Sequence, residues 1–198
     1  MIENIRQEGK KVDWQNHDSI IKFYEKNQLI FDNYDLITNE EDIEDIIQMK
    51  IRYINSLNAK KRFTKAFNII SHLDKMINKL NENSVIYEKY NMEKLFYYGV
   101  LKGNLKDYLK SYSTFSKLVN LDPENDLYKE WHVAMKMEVQ YLYLRYVSFI
   151  GLAIVLGNII LDLAFEYKMN TNIKLFGWLL IIVGWIGPKV YQYINKNR

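Results

Sequence analysis

From Tyr146 to Phe165, twenty residues (YVSFIGLAIVLGNIILDLAF) contain a single charged side chain, Asp162. At about 1.5 Å per residue, a helix of that length covers about 30 Å, the thickness of a bilayer's hydrocarbon core. The stretch EYKMNTNIK follows, and a second apolar run, LFGWLLIIVGWIGP, extends from Leu175 to Pro188. Alone it is short. Continuation through KVYQYI to Ile194 lengthens it, because Lys189 can snorkel while Trp178, Trp185, Tyr191 and Tyr193 suit the interfacial belts. The spacing therefore predicts two transmembrane helices, 146–165 and 175–194, joined by a loop over 166–174 and followed by a tail at 195–198. A buried core helix or a re-entrant segment is the alternative reading of the second run.

Lys136, Arg145, Lys189, Lys196 and Arg198 flank this hairpin, against Lys168 and Lys174 in its loop. Basic residues stay on the cytoplasmic side, so both termini and the soluble part are expected there. The opening MIENIRQEGKKVDW holds no apolar core of a signal peptide, in keeping with that orientation. Each span also carries a stripe of small or polar residues. Gly151, Val155, Asn158 and Asp162 recur at intervals of four, three and four, as do Gly177, Ile181, Gly184 and Pro188. Small residues let helices approach closely in lipid, so Gly151, Asn158, Asp162, Gly177 and Gly184 are the candidate packing positions. Asp162, near the loop, could meet Lys174 or water, or serve an ion path, since intramembrane acids are costly.

Residues 1–145 hold 22 basic and 22 acidic side chains, while residues 146–198 hold five and two. A neutral soluble part lacks the concentrated positive field that nucleic-acid binding requires. The chain has no Cys, which excludes disulfides, thiolate metal sites and Cys nucleophiles. After a segment at 1–17, apolar positions recur with a helical period through 18–125, so the fold class is expected to be all-α. Helices are expected over roughly 19–30 with Asp18 as cap, 39–58 with a Thr38/Glu41 capping box, 61–80, 85–101 with Ser84 as cap, and 105–120. Phe63, Ala66, Phe67, Ile70, Leu73, Met76, Ile77 and Leu80 share one face of the third. Residues 126–145 contain no Gly or Pro, so a capping and connecting helix can run into the first span as a rod of about 40 residues and roughly 60 Å.

A shift of 42 residues sets YINSLNAKKRFTKAFNIISHLDKMINKLNEN (53–83) on LFYYGVLKGNLKDYLKSYSTFSKLVNLDPEN (95–125). It aligns Leu73 with Phe115 and Lys75 with Lys117, and it reads as duplication of a helix-turn-helix unit. The second unit resembles a tetratricopeptide repeat: KGNLKDY looks like the inter-helix turn with Gly103 in place, and LDPEN like the Pro123-terminated end of the second helix. The resemblance spans about residues 39–125. It departs from that family in its longer period, in the unfilled Trp and Leu-Gly positions, and in Tyr108 where a small Ala is expected. It implies stacked hairpins with a concave face for a protein or peptide partner. Tyr87, Tyr90, Tyr97, Tyr98, Tyr108 and Tyr112 are the candidate contacts, with packing within long helices as their alternative role.

Catalytic signatures are missing. The eight Gly allow no G-x-G-x-x-G in the soluble part, and His17, His72 and His132 form neither H-E-x-x-H nor a close pair. Glu40, Glu41, Asp42, Glu44 and Asp45 could take a cation or a basic partner, or complement a helix dipole. The sequence thus points to a non-enzymatic, cofactor-free, membrane-anchored adaptor with a protein or peptide partner. A small integral-membrane regulator or immunity-type protein, acting through its hairpin, is the other expectation.

Overall fold

The computed structural model describes residues 2–32, 39–82, 84–165 and 171–196. Among them all regular structure is helical: α1 (Ile2–Gly9), α2 (His17–Lys26), α3 (Gln28–Asp32), α4 (Glu40–Ala59), α5 (Phe63–Ile77), α6 (Val85–Asn104), α7 (Tyr108–Leu121), α8 (Asp126–Phe165) and α9 (Thr171–Lys196). The contacts divide the chain into two units, residues 1–135 and 136–198. The expected all-α class is observed, and α8 has the 40 residues expected of an uninterrupted helix.

Local chemistry sets the boundaries. Asn16, rather than Asp18, caps α2, its Oδ1 accepting from the amides of Asp18 (2.9 Å) and Ser19 (3.4 Å). Asp18 instead takes the Lys60 ammonium at 2.6 Å. The expected helix 19–30 breaks at Asn27, whose N–H bonds back to the carbonyls of Phe23 and Tyr24. Asn39 caps α4 through the Glu41 amide; Thr38 lies outside the described residues. Ser84 caps α6 as expected, accepting from the Tyr87 amide at 3.0 Å. The segment before α2, for which no element is expected, contributes α1, and α1 buries Ile5 in the core.

The two helical hairpins do not lie at the expected 42-residue offset. Asn39 and Ser84, the N-caps of α4 and α6, lie 45 residues apart, and both helices are 20 residues long. Among the described residues, Lys61 and Lys106 are the two non-glycine residues at positive φ, 58° and 64°, again 45 apart. In each turn the residue after them closes a six-residue loop: the Arg62 amide donates to Leu57 O (2.8 Å) and that of Asp107 to Lys102 O (2.9 Å). Gly103 is therefore not the turn residue. It lies inside α6, where a Cβ would meet Met135 Sδ at 3.0 Å and Ser111 Oγ at 3.2 Å. With a 45-residue offset four buried positions of α5 fall on buried positions of α7, Ala66 on Ser111, Ile69 on Thr114, Ile70 on Phe115 and Leu73 on Leu118, whereas buried Met76 falls on exposed Leu121. Tyr53/Tyr98, Lys65/Lys110 and Ser71/Ser116 become identities. The 42-residue shift differs by three residues, close to one helical turn, and so presents nearly the same apolar face. Pro123 does follow the end of α7.

Adjacent helices pack in chain order, α2 on α4, α4 on α5, α5 on α6 and α6 on α7. The apolar side chains form two clusters rather than one continuous repeat core. Ile70 and Leu73 belong to the first, with residues from α1 to α6; Phe115 and Leu118 belong to the second, with Val100, Tyr128 and Met135. Phe67 is only half-buried, packed on Tyr98 at 5.6 Å.

In the second unit, α8 and α9 each contain a stretch long and apolar enough to span a membrane, and only 11% of either stretch is buried. A core helix would hide those residues, whereas Leu156, Ile160, Leu163, Leu179 and Trp185 are exposed. The loop expected at 166–174 is shorter at its far end, because α9 starts at Thr171 and includes Lys174 in its first turn. Residues 166–170 and 197–198 lie outside the described residues.

Candidate functional site

The six candidate tyrosines do not gather on one open surface. Tyr90 is buried and donates its hydroxyl to Glu44 at 2.7 Å while accepting from Gln48 at 3.0 Å. Burial pushes that phenol well above its ordinary range. Tyr87, Tyr97 and Tyr98 are half-buried against the first cluster, and Tyr108 and Tyr112 against the second. Tyr112 stacks on His132 at 4.9 Å. Fully closed Tyr90 offers a partner nothing.

The acidic group at the start of α4 finds its basic partner within the chain. Arg6 of α1 reaches Asp45 at 2.7 Å, Asp42 at 3.1 Å and Glu41 at 3.3 Å. These carboxylates lie in or just beyond the first turn, where the helix dipole also favours them. No group of three His, Cys, Asp or Glu able to hold a metal ion occurs among the described residues.

A charged side chain that sequence reasoning missed lies at the centre of the first unit. Lys50, on α4, is fully buried, its Nζ 2.8 Å from Asp32 Oδ1 and 2.9 Å from the Tyr24 hydroxyl. Tyr24 stacks between Tyr53 (3.9 Å) and Phe31 (4.9 Å). Desolvation lowers the Lys50 ammonium below its ordinary value, and Asp32 opposes that shift. Burial by itself would raise the Asp32 carboxyl, but Lys50 and Gln28 hold it below the usual range. Lysines so perturbed serve as nucleophiles where a substrate can reach them. Here the ammonium is closed from solvent and held by two partners, an arrangement that orders α2, α3 and α4 around it. The available signal was its position: Ile46, Ile47, Ile54 and Leu57 lie on the same helix and are buried with it.

Of the candidate hairpin residues, Gly151, Gly177 and Gly184 lie where α8 and α9 approach closely. A Cβ on Gly151 would fall 2.7 Å from Gly177 O, and one on Gly184 would meet Leu144 O at 2.5 Å and the side chain of Ser148. Ser148 donates to Ile181 O at 3.3 Å. Val155 and Asn158 are buried on the same stripe, and Asn158 Oδ1 has no hydrogen-bond donor among the described residues. Asp162 is half-buried and makes no ion pair with Lys174 among the described residues. Lys189 lies over the Trp185 ring at 4.6 Å. Because the seam leaves no room at Gly184, Gly184→Ala is expected to lower hairpin stability by about 1–3 kcal/mol. Gly157, whose Cβ would meet nothing within 4 Å, supplies the comparison. Gly157→Ala should leave the unfolding midpoint in dodecyl sulfate titration unchanged or slightly raised, and equal midpoints for the two would contradict the close approach.

No family model, no curated protein and no solved structure matches this chain.

Proposed function

We propose that the chain is a non-enzymatic, membrane-anchored adaptor whose helical hairpins present a cytoplasmic surface to a protein or peptide. The observation that carries this reading is the pair of hairpins whose 20-residue first helices lie at a 45-residue offset, in a chain that also holds two membrane-length apolar helices. Stacked helical units offer extended binding faces and need no catalytic group. The tetratricopeptide resemblance rests on the paired hairpins and on Pro123, with Gly103 removed from its support. Photo-crosslinking residues at Tyr97 and Tyr112 in native membranes test the reading. Soluble partners captured at those positions support it; capture confined to positions 156 and 163 of α8 overturns it.

That second outcome would favour a regulator acting through the hairpin on another membrane protein. Asn158 favours this reading, since a buried acceptor without a donor in an apolar helix gains from a polar neighbour. Both readings place the termini in the cytoplasm, from five flanking basic residues against two in the connection. In this Cys-free chain, Asn197→Cys should resist an impermeant thiol reagent in intact cells while Asn170→Cys is labelled. The reverse pattern would invert the topology.

A further inference from the structure

A pocket of about 340 Å³ lies between α1, α2 and α4 and the turn carrying Trp14. That volume is at the lower end for small-molecule sites. Its interior is aromatic and aliphatic: Trp14 meets Phe23 edge-on at 5.9 Å, Phe23 meets Phe31 at 6.2 Å, and Met49 and Ile46 complete the lining. The polar groups differ in what they have left to offer. Arg6 is taken up by carboxylates, Asp45 at 2.7 Å together with Asp42 and Glu41. Lys10 and Arg52 are exposed, and neither pairs with a carboxylate among the described residues. Arg52 is nevertheless held in place, with its guanidinium 4.8 Å from the centre of the Trp14 ring.

An apolar interior with unneutralised positive charge at its mouth is complementary to one class of small molecule. We propose that this pocket binds an amphipathic carboxylate, its apolar body among Trp14, Phe23 and Met49 and its carboxylate on Arg52. A planar guanidinium matches a carboxylate with two parallel N–H donors, and Lys10 adds unspecific attraction. At protein packing density the volume holds roughly a dozen non-hydrogen atoms, the size of a fused-ring aryl acid or a medium-length acyl chain. This site is independent of the adaptor reading, because it involves neither the tyrosines nor the hairpin.

Calorimetry on the full chain in phosphatidylcholine nanodiscs, with empty nanodiscs subtracted, tests the assignment with three probes of one shape. These are 2-naphthoate, neutral 2-naphthamide and cationic 2-naphthylmethylammonium. Saturable binding of one naphthoate per chain is expected, with the amide at least tenfold weaker and the cation weaker still. Arg52→Gln should weaken naphthoate about tenfold and leave the amide unchanged, the amide reporting that the pocket is intact. Heat no greater than from empty nanodiscs, equal affinity for the three probes, or naphthoate binding indifferent to Arg52→Gln would each overturn the proposal. Should the variant fail to fold, the ranking of the probes on the unaltered chain decides the matter.

Discussion

Phe115→Ala is expected to destabilise the packing of α6, α7 and the first half of α8 by about 3–5 kcal/mol. The Phe115 side chain is fully buried, stacked on Trp131 of α8 at 5.4 Å and edge-on to Phe96 of α6 at 6.0 Å. Its ring also fills the space over Gly99, where a Cβ would fall 2.8 Å from Cε2. Truncation therefore removes contacts to α6 and α8 at once and leaves a void between them. Lys117, two residues further along α7, is exposed, and Lys117→Ala should change stability by no more than about 0.5 kcal/mol. Hydrogen exchange on the full chain in mild detergent, read on α6 and α7 peptides, compares the two. Equal protection would show that α7 is not anchored through this ring.

Removing one partner of the buried pair should cost nearly as much. Asp32→Ala leaves the Lys50 ammonium in the core with only the Tyr24 hydroxyl, a loss of about 3 kcal/mol, the lower end for such pairs because Asp32 is 29% exposed. Lys50→Met, by contrast, removes the charge that required compensation. It should lie within about 1 kcal/mol of the unaltered chain, since Asp32 keeps Gln28 at 3.0 Å and reaches solvent. Urea unfolding followed by circular dichroism compares them, and a larger loss for Lys50→Met would reverse the assignment of which partner is costly.

The pH dependence follows from the directions of the two shifts. Asp32 is depressed in the folded chain, so its contribution is present above its unfolded value near 3.8 and is lost as pH falls through the folded value. The acid limb should therefore be flatter in Asp32→Ala. Lys50 is also depressed, so between its folded value and 10.5 the unfolded chain binds more protons and stability rises with pH. Loss of Asp32 depresses it further. The deficit of Asp32→Ala should consequently shrink at alkaline pH.

Much of the architecture was legible in the residues alone. The apolar run before Phe165, the absence of Gly and Pro from 126 to 145, the Ser84 cap and the small-residue stripes each act locally. Chain chemistry within one or two helical turns decides them, and α8, α6 and the α8/α9 seam agree with that reading. The offset between the two hairpins was not decidable in this way. Shifts of 42 and 45 residues differ by nearly one helical turn and show almost the same face, so periodicity could not separate them. The positive φ of Lys61 and Lys106 separates them, and lysine at such a position carries no sequence signal comparable to glycine. Likewise, Lys50 reads as surface in any composition argument, and six tyrosines read as a possible binding face. Only the tertiary structure brings Asp32 and Tyr24 to Lys50 and packs the tyrosines against two separate clusters. The physical reason is common to both cases: burial of a polar or aromatic group is decided by partners distant in the chain, whereas helix formation and span length are decided by neighbours.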